Sequence, residues 1–273
     1  MIAAKLARVE WLKQKNRFAF WISLLSFASL LLIGLGASFY NYRRLGESYV
    51  YRSMWPTVVD GAQSFGLLIM VVLMVLLTAS EKTWRTERQN VIDGLSRTQY
   101  FAAKVILLAG CTLLMWATIV TLGAVFEVLN RSLVDGVDTA FLTGDNVRQL
   151  AVVLLYLFFA GTIALMFGTV ASSSGAALAL AFLFLMLQAP LIMIMARQGG
   201  VWHELSAWMP MNVLQSLTSE VAWNAEEYAR QNAQMRERGF PLMLSGGAAA
   251  LAAAGYSALL CAASFWSIRT RDL

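Results

Sequence analysis

Side chains able to do acid–base, nucleophilic or metal chemistry are few in this sequence, and their spacing assembles no working set. A metal centre needs clustered His, Cys, Asp or Glu, yet the chain holds one histidine, His203, and two cysteines, Cys111 and Cys261, with no CxxC. Both cysteines fall inside apolar runs, where cysteine behaves as a small hydrophobe. The serines of "ASSSG", Ala171 to Gly175, have no histidine in any apolar run to act as base, as an intramembrane nucleophile would require. No GxxxxGK[ST] loop is present to cradle a nucleotide phosphate. The sequence therefore predicts a chain that is not an enzyme and that holds no metal or cofactor and hydrolyses no nucleotide by itself.

The elements that carry these residues are apolar. Of the 273 residues, 59% are hydrophobic and 14% charged, against roughly 25% charged in soluble domains. Six runs approach or exceed the roughly 20 residues a helix needs to cross a bilayer: Phe18 to Tyr40, Gly61 to Ser80, Tyr100 to Val128, Leu150 to Ala171, Ala176 to Met195 and Leu242 to Ile268. They lack the alternation and the roughly ten-residue length of barrel strands. The expected fold is all-α: a polytopic membrane protein of six transmembrane helices, forming a single domain over residues 1–273. Residues 1–17, with Ile2, Leu6, Val9 and Leu12 spaced by three and four and with Lys5, Arg8 and Lys15 nearby, predict an amphipathic helix lying on a leaflet.

Intramembrane ionisable groups usually mark ion or proton pathways. The span interiors are read as lacking them: Lys104 is placed to snorkel to an end, and the polar residues that stand out inside are Gln63 and Gln188 beside Pro190. Ordinary proton coupling is thereby disfavoured, while sodium coupling through carbonyls and hydroxyls stays open.

The net charge of +5 comes from Lys and Arg beside the spans and not from a soluble basic domain, which points away from nucleic acid. Residues 1–17, the turn from Glu81 to Lys104 and the tail hold twelve of the 21 Lys and Arg, including all five lysines. By the excess of positive charge in short cytoplasmic segments, both termini are expected in the cytoplasm. Asn41 to Asp60, Glu127 to Gln149 and Ala196 to Pro241 are then external. The acid-rich loop with Glu127, Asp135, Asp138 and Asp145 reads as a solvated connector. Trp202, Trp208 and Trp223 suggest a segment at headgroup level, with His203 as an interfacial residue among them.

The turn "TASEKTWRTERQNVIDGLSRTQYFAAKVILL", Thr78 to Leu108, is the most informative stretch. On a helix Trp84, Arg88, Val91 and Leu95 share one face, and Glu81 and Arg85 are spaced for an i,i+4 ion pair before Gly94 breaks the pattern. Such a stripe serves either to dock another protein or to rest on lipid headgroups. In the last span Gly246, Ala250, Ala254, Ala258 and Ala262 make a ridge of small residues that would let another helix approach, in the same chain or in a second one.

This turn resembles that of the permease subunits of ABC-2 type exporters. Glu81 looks like the glutamate that ends their second span, Thr86 like the following threonine, "GLSR" (Gly94 to Arg97) like the turn, and Tyr100 with Lys104 like the start of the third span. Arg85 stands where glycine is usual, and the turn proline is missing. The likeness extends to the short "ASSSG" turn and to the proline-containing external "WMPMN" stretch, Trp208 to Asn212. It implies a membrane-spanning permease of an ATP-driven exporter in a plasma membrane, that of a bacterial inner membrane by preference. ATP and Mg would be bound by a separate ABC ATPase subunit, and a second permease chain, identical or related, would complete the pathway. The coupling segment would comprise Glu81, Trp84, Arg85, Arg88, Val91, Leu95 and Arg97, with Ser172, Ser173 and Ser174 as a second cytoplasmic turn. A membrane scaffold and a stand-alone secondary transporter are the alternatives.

Overall fold

The computed structural model describes residues 2–45, 54–83, 96–133 and 140–270. Those residues form ten α-helices and one short 3-10 turn, with no strands among them, so the chain is all-α. Helix α1 (Ile2–Lys15) leads into α2 (Phe18–Leu45), and α3 (Trp55–Thr83), α4 (Arg97–Leu133), α5 (Gly144–Val170) and α6 (Ser174–Gln198) follow. Three short helices, α7 (Gly200–Ala207), α8 (Pro210–Thr218) and α9 (Ala225–Arg238), precede α10 (Gly246–Thr270). Six helices are long and apolar enough to span a membrane: α2 to α6 and α10. An even number of spans returns both termini to one end, called here the terminal end.

Burial sorts the spans. Within their most apolar stretches α3 is 61% and α5 67% buried, against 22% for α6 and α10. The pair α3 and α5 is therefore the centre, and the others present a broad apolar outer face. Apolar side chains gain little by leaving lipid for a helix interface, so close backbone approach matters more there. Glycines supply it. A Cβ at Gly168 would sit 2.0 Å from the Thr78 hydroxyl oxygen, and one at Gly161 would sit 2.3 Å from Leu108.

The ridge read in the last span behaves differently. Ala254, Ala258 and Ala262 are exposed, and the stripe that α10 buries is Gly246, Ala249, Ala253, Ser257, Ser264 and Ile268. The start of the ridge meets this chain, with Gly246 under the Trp223 ring and Ala250 packed against the buried core.

Helix boundaries extend past the expected spans because the helices outrun the hydrocarbon. At about 1.5 Å per residue, the 37 residues of α4 reach roughly 55 Å, beyond the roughly 30 Å apolar layer. Glu127, expected in a solvated connector, consequently lies inside α4 and is fully buried. It accepts hydrogen bonds from the Met54 backbone N–H (2.7 Å) and from Arg131 (2.9 Å). The last span, in contrast, starts at Gly246 rather than Leu242.

At the end opposite the termini, the segment from Gly199 to Ser245 folds over the spans. Gly199 and Gly200 make the corner into α7 with φ of 71° and 55°, a left-handed region that suits glycine. The "WMPMN" stretch is a structural knot: Pro210 opens α8, Asn212 donates to the Ser206 and Leu242 carbonyls, and Tyr256 donates to the Trp208 carbonyl. Gln188, deep in α6, accepts from the Met211 N–H at 2.7 Å. His203 is buried, and its Nε2 pairs with the Phe240 carbonyl at 2.8 Å, a structural role. Val201, Trp202, Leu205 and Trp208 are exposed, as a segment at the lipid interface requires.

Candidate functional site

The ionisable side chains that the fold buries at the terminal end form one cluster, contributed by three helices and a turn. Helix α1 brings Glu10, Lys13 and Gln14, and Arg17 follows in the turn to α2. The end of α3 brings Glu81, and the start of α4 brings Tyr100 and Lys104. Glu81 and Lys104 are each 1% exposed and Glu10 is 3% exposed, which rules out treating them as surface charges.

Lys104 is the hub. Its Nζ lies 2.8 Å from Glu81 Oε1 and 3.4 Å from Glu10 Oε2, so one ammonium bridges two carboxylates from two different helices. Tyr100 donates its hydroxyl to Glu81 Oε2 at 3.1 Å, and Lys104 sits 5.1 Å from the centre of the Tyr100 ring. Lys13 reaches Glu10 at 3.2 Å and Glu81 at 3.9 Å. Arg17 lies 4.0 Å from Glu81 and donates to the Ser80 hydroxyl (2.9 Å) and the Leu77 carbonyl (3.3 Å). Two carboxylates thus face three cations. Buried charges persist only when paired and hydrogen-bonded, and each of these is.

This corrects the expectation of spans without buried ionisable groups. Lys104 does not snorkel to water; Glu10 and Glu81 satisfy it inside. The reason is geometric: α1 turns its polar stripe inward, so Glu10 and Gln14 face α4 while Val9, Trp11 and Leu12 face out.

Three further ties lie beside the cluster. Lys82, next to Glu81, donates to the Thr169 carbonyl and to the Ala171 carbonyl (3.3 Å), joining the end of α3 to the α5–α6 turn. The Ser267 hydroxyl of α10 donates to the same Thr169 carbonyl at 3.4 Å. Arg97 donates to the Arg269 carbonyl, joining the start of α4 to the end of α10.

Among the sequence-predicted coupling residues, Glu81 belongs to the ion cluster and Arg97 is a helix tie. Trp84, Arg85, Arg88, Val91 and Leu95 lie outside the described residues. The α5–α6 turn is as short as expected: Ser172 is exposed, Ser173 caps α6 by accepting from the Ala176 N–H (3.2 Å), and Ser174 opens that helix. Glu10, Lys13, Arg17 and Lys82 were not picked out by sequence reasoning. The available signal for Glu10 was that it is the only acid in the first seventeen residues.

The arrangement is a set of buried, paired charges. No group of three or more His, Cys, Asp or Glu able to hold a metal ion occurs among the described residues. What it provides is a mechanical joint, in which a leaflet helix, two spans and two turns are locked by directional bonds.

Comparison with known families supplies the frame for this joint. A family model described as ABC-2 family transporter protein matches residues 61–266. The chain belongs to the ABC-2 transporter family. It is an integral membrane transport component, a permease of the ABC-2 type. No curated protein matches the chain. The matched region takes in five of the six spans and includes Glu81 and Lys104, while α1 with Glu10 precedes it. The ABC-2 permease joint therefore recruits a partner from outside the matched region.

Proposed function

We propose that this ABC-2 permease is the membrane-spanning subunit of an ATP-driven exporter and is coupled to a separate ATPase subunit through the connections at its terminal end. ATP and Mg belong to that partner, and a second permease chain completes the pathway. Both termini lie in the cytoplasm of a cell bounded by this membrane, a bacterial inner membrane by preference. The chain itself is not an enzyme.

The observation that carries this reading is the buried Glu10–Lys104–Glu81 joint, which ties α1 to the two helices that bracket residues 84–95. A partner engaging that segment would act on Glu81 and Lys82 at one side and on Arg97 and Tyr100 at the other. Through Lys104 the displacement reaches α1, and through Lys82 it reaches the turn with Ser172, Ser173 and Ser174. Packed helices shift as rigid bodies between discrete arrangements, which is what alternating access requires.

The test is Trp84→Ala, measured by co-purification with the ATPase and by stimulation of its hydrolysis, beside Trp223→Ala at the opposite end. Interface energy concentrates in a few aromatic and arginine anchors, so Trp84→Ala is expected to weaken association about 30-fold. Assembly and stimulation unchanged by Trp84→Ala and by a Val91/Leu95 double substitution would remove the segment from the mechanism.

A further inference from the structure

We infer that the outward face of α1 is a binding surface for anionic phospholipid. Successive residues on a helix are about 100° apart, and Lys5, Arg8, Val9, Trp11, Leu12 and Lys15 fall on one half of α1. All six are exposed. The other half carries Leu6, Glu10, Lys13 and Gln14, turned toward the spans.

The fold thereby segregates charge. Glu10 is the only acid of α1, and the ion joint buries it. The outward face is left with three cations and no acid, and none of the three forms an ion pair with a described residue. Apolar Val9, Trp11 and Leu12, 44–46% exposed, are interleaved with these cations. A soluble protein partner with an acidic surface would match the charge but leave the apolar half unsatisfied. A headgroup layer matches both, because it presents phosphates above acyl chains.

A second feature places the face at that depth. Trp11 packs edge-on against Phe20 (6.0 Å between ring centres), and Phe20 packs against Trp21 (5.3 Å). The Trp21 indole N–H donates to the Lys15 carbonyl at 2.8 Å. Exposed Trp11, Trp21 and Phe18 thus form an aromatic group at the α1–α2 corner, where tryptophans prefer the membrane interface. Basic residues fixed beside them meet the lipid phosphates.

The consequence extends inward. The helix that holds the headgroups on one side holds Lys104 through Glu10 on the other, so lipid composition acts on the joint without touching it.

The experiment uses the full chain in mixed phosphatidylcholine and phosphatidylglycerol vesicles. Bromine is carried on one lipid or on the other at equal mole fraction. Quenching of Trp11 is read as the difference between the wild type and Trp11→Phe. Each basic residue near an anionic surface contributes about a fivefold preference. Phosphatidylglycerol is therefore expected to be enriched around Trp11 at least about fivefold at roughly 0.1 M salt, and the enrichment is expected to collapse near 1 M. The triple variant Lys5→Gln, Arg8→Gln, Lys15→Gln should abolish the preference while leaving quenching by brominated phosphatidylcholine. Equal quenching by the two lipids in the wild type would overturn the inference, as would a preference that survives the triple substitution. Absence of quenching by either lipid would do so too, since a protein would then cover the face. The wild-type salt series decides even where the triple variant does not insert.

Discussion

Replacing Lys104 with methionine keeps the length and apolar stem of the side chain and removes only the ammonium that bridges Glu81 and Glu10. Breaking one side of a buried ion pair costs about 3–5 kcal/mol, mostly because an unpaired charge is left behind. Here the loss is cushioned: Glu81 keeps Lys13 at 3.9 Å and Arg17 at 4.0 Å, both partly exposed, and Glu10 keeps Lys13 at 3.2 Å. The lower end of the range, about 3 kcal/mol, is therefore expected for Lys104→Met. For a chain of this size that corresponds to a fall in Tm of roughly 6–12 °C.

A double-mutant cycle separates this from ordinary packing loss. Glu81→Gln alone leaves Lys104 facing Glu10 at 3.4 Å and should also destabilise. Glu81→Gln with Lys104→Met removes both members of the 2.8 Å pair and should cost less than either single change. Lys15→Met, on the exposed face of α1, is the control and should stay within about 0.5 kcal/mol. The assay is thermal unfolding of the purified chain at one fixed scan rate, in one detergent. The reasoning fails if Lys104→Met behaves like Lys15→Met, or if the double substitution costs the sum of the singles to within about 0.5 kcal/mol.

Topology is tested by labelling single cysteines in intact cells, after removal of Cys111 and Cys261, with a membrane-impermeant reagent: Ala140→Cys should be modified and Asn90→Cys should not, and the reverse would invert the proposed orientation. The isolated chain should hydrolyse no ATP, and sustained hydrolysis that tracks the pure chain through gel filtration would refute the permease-only role. Gly168→Ala places a methyl 2.0 Å from the Thr78 oxygen where α3 and α5 meet near the terminal end, so it should cost about 1–3 kcal/mol by overpacking; a Tm equal to the wild type would mean that this contact yields freely.

The six spans were legible because lipid demands long uninterrupted apolar helices, and composition alone locates them. Their ends were less so. Pro56 reads as a loop residue, yet in the first turn of α3 it breaks no helical hydrogen bond and the helix begins at Trp55. Glu127 reads as a loop acid because nothing local announces the Met54 N–H, 73 residues away, that receives it. Glu81 was legible from its place at the end of a span. Its partner Lys104 was visible but misread, since the bond that buries its other side spans 94 residues to Glu10. The amphipathic N-terminal helix was legible from its spacing, but periodicity cannot tell which half of it the spans will accept.

The physics of the bilayer explains why the joint is ionic. Between helices already in lipid, apolar burial gives little drive for association. A leaflet helix such as α1 cannot be held in register against spans by greasy contact alone, because lipid serves its apolar side chains equally well. Directional bonds can hold it, provided the charges are few and mutually satisfied. Glu10, Lys104 and Glu81 meet that condition, and the segment at residues 84–95 lies between the helices they fix. At the opposite end buried Glu127 is paired within α4 by Arg131 and accepts from the Met54 N–H, and the segment folded over the spans is held with neutral groups: Gln188 accepts from Met211, and Asn212 donates to Ser206 and Leu242. Neutral bonds exchange partners with less penalty than buried charges do. In the proposed mechanism the terminal end accordingly moves as one locked unit, and rearrangement is left to the hydrogen-bonded end, where α6 carries Pro190 and the chain turns at Gly199 and Gly200.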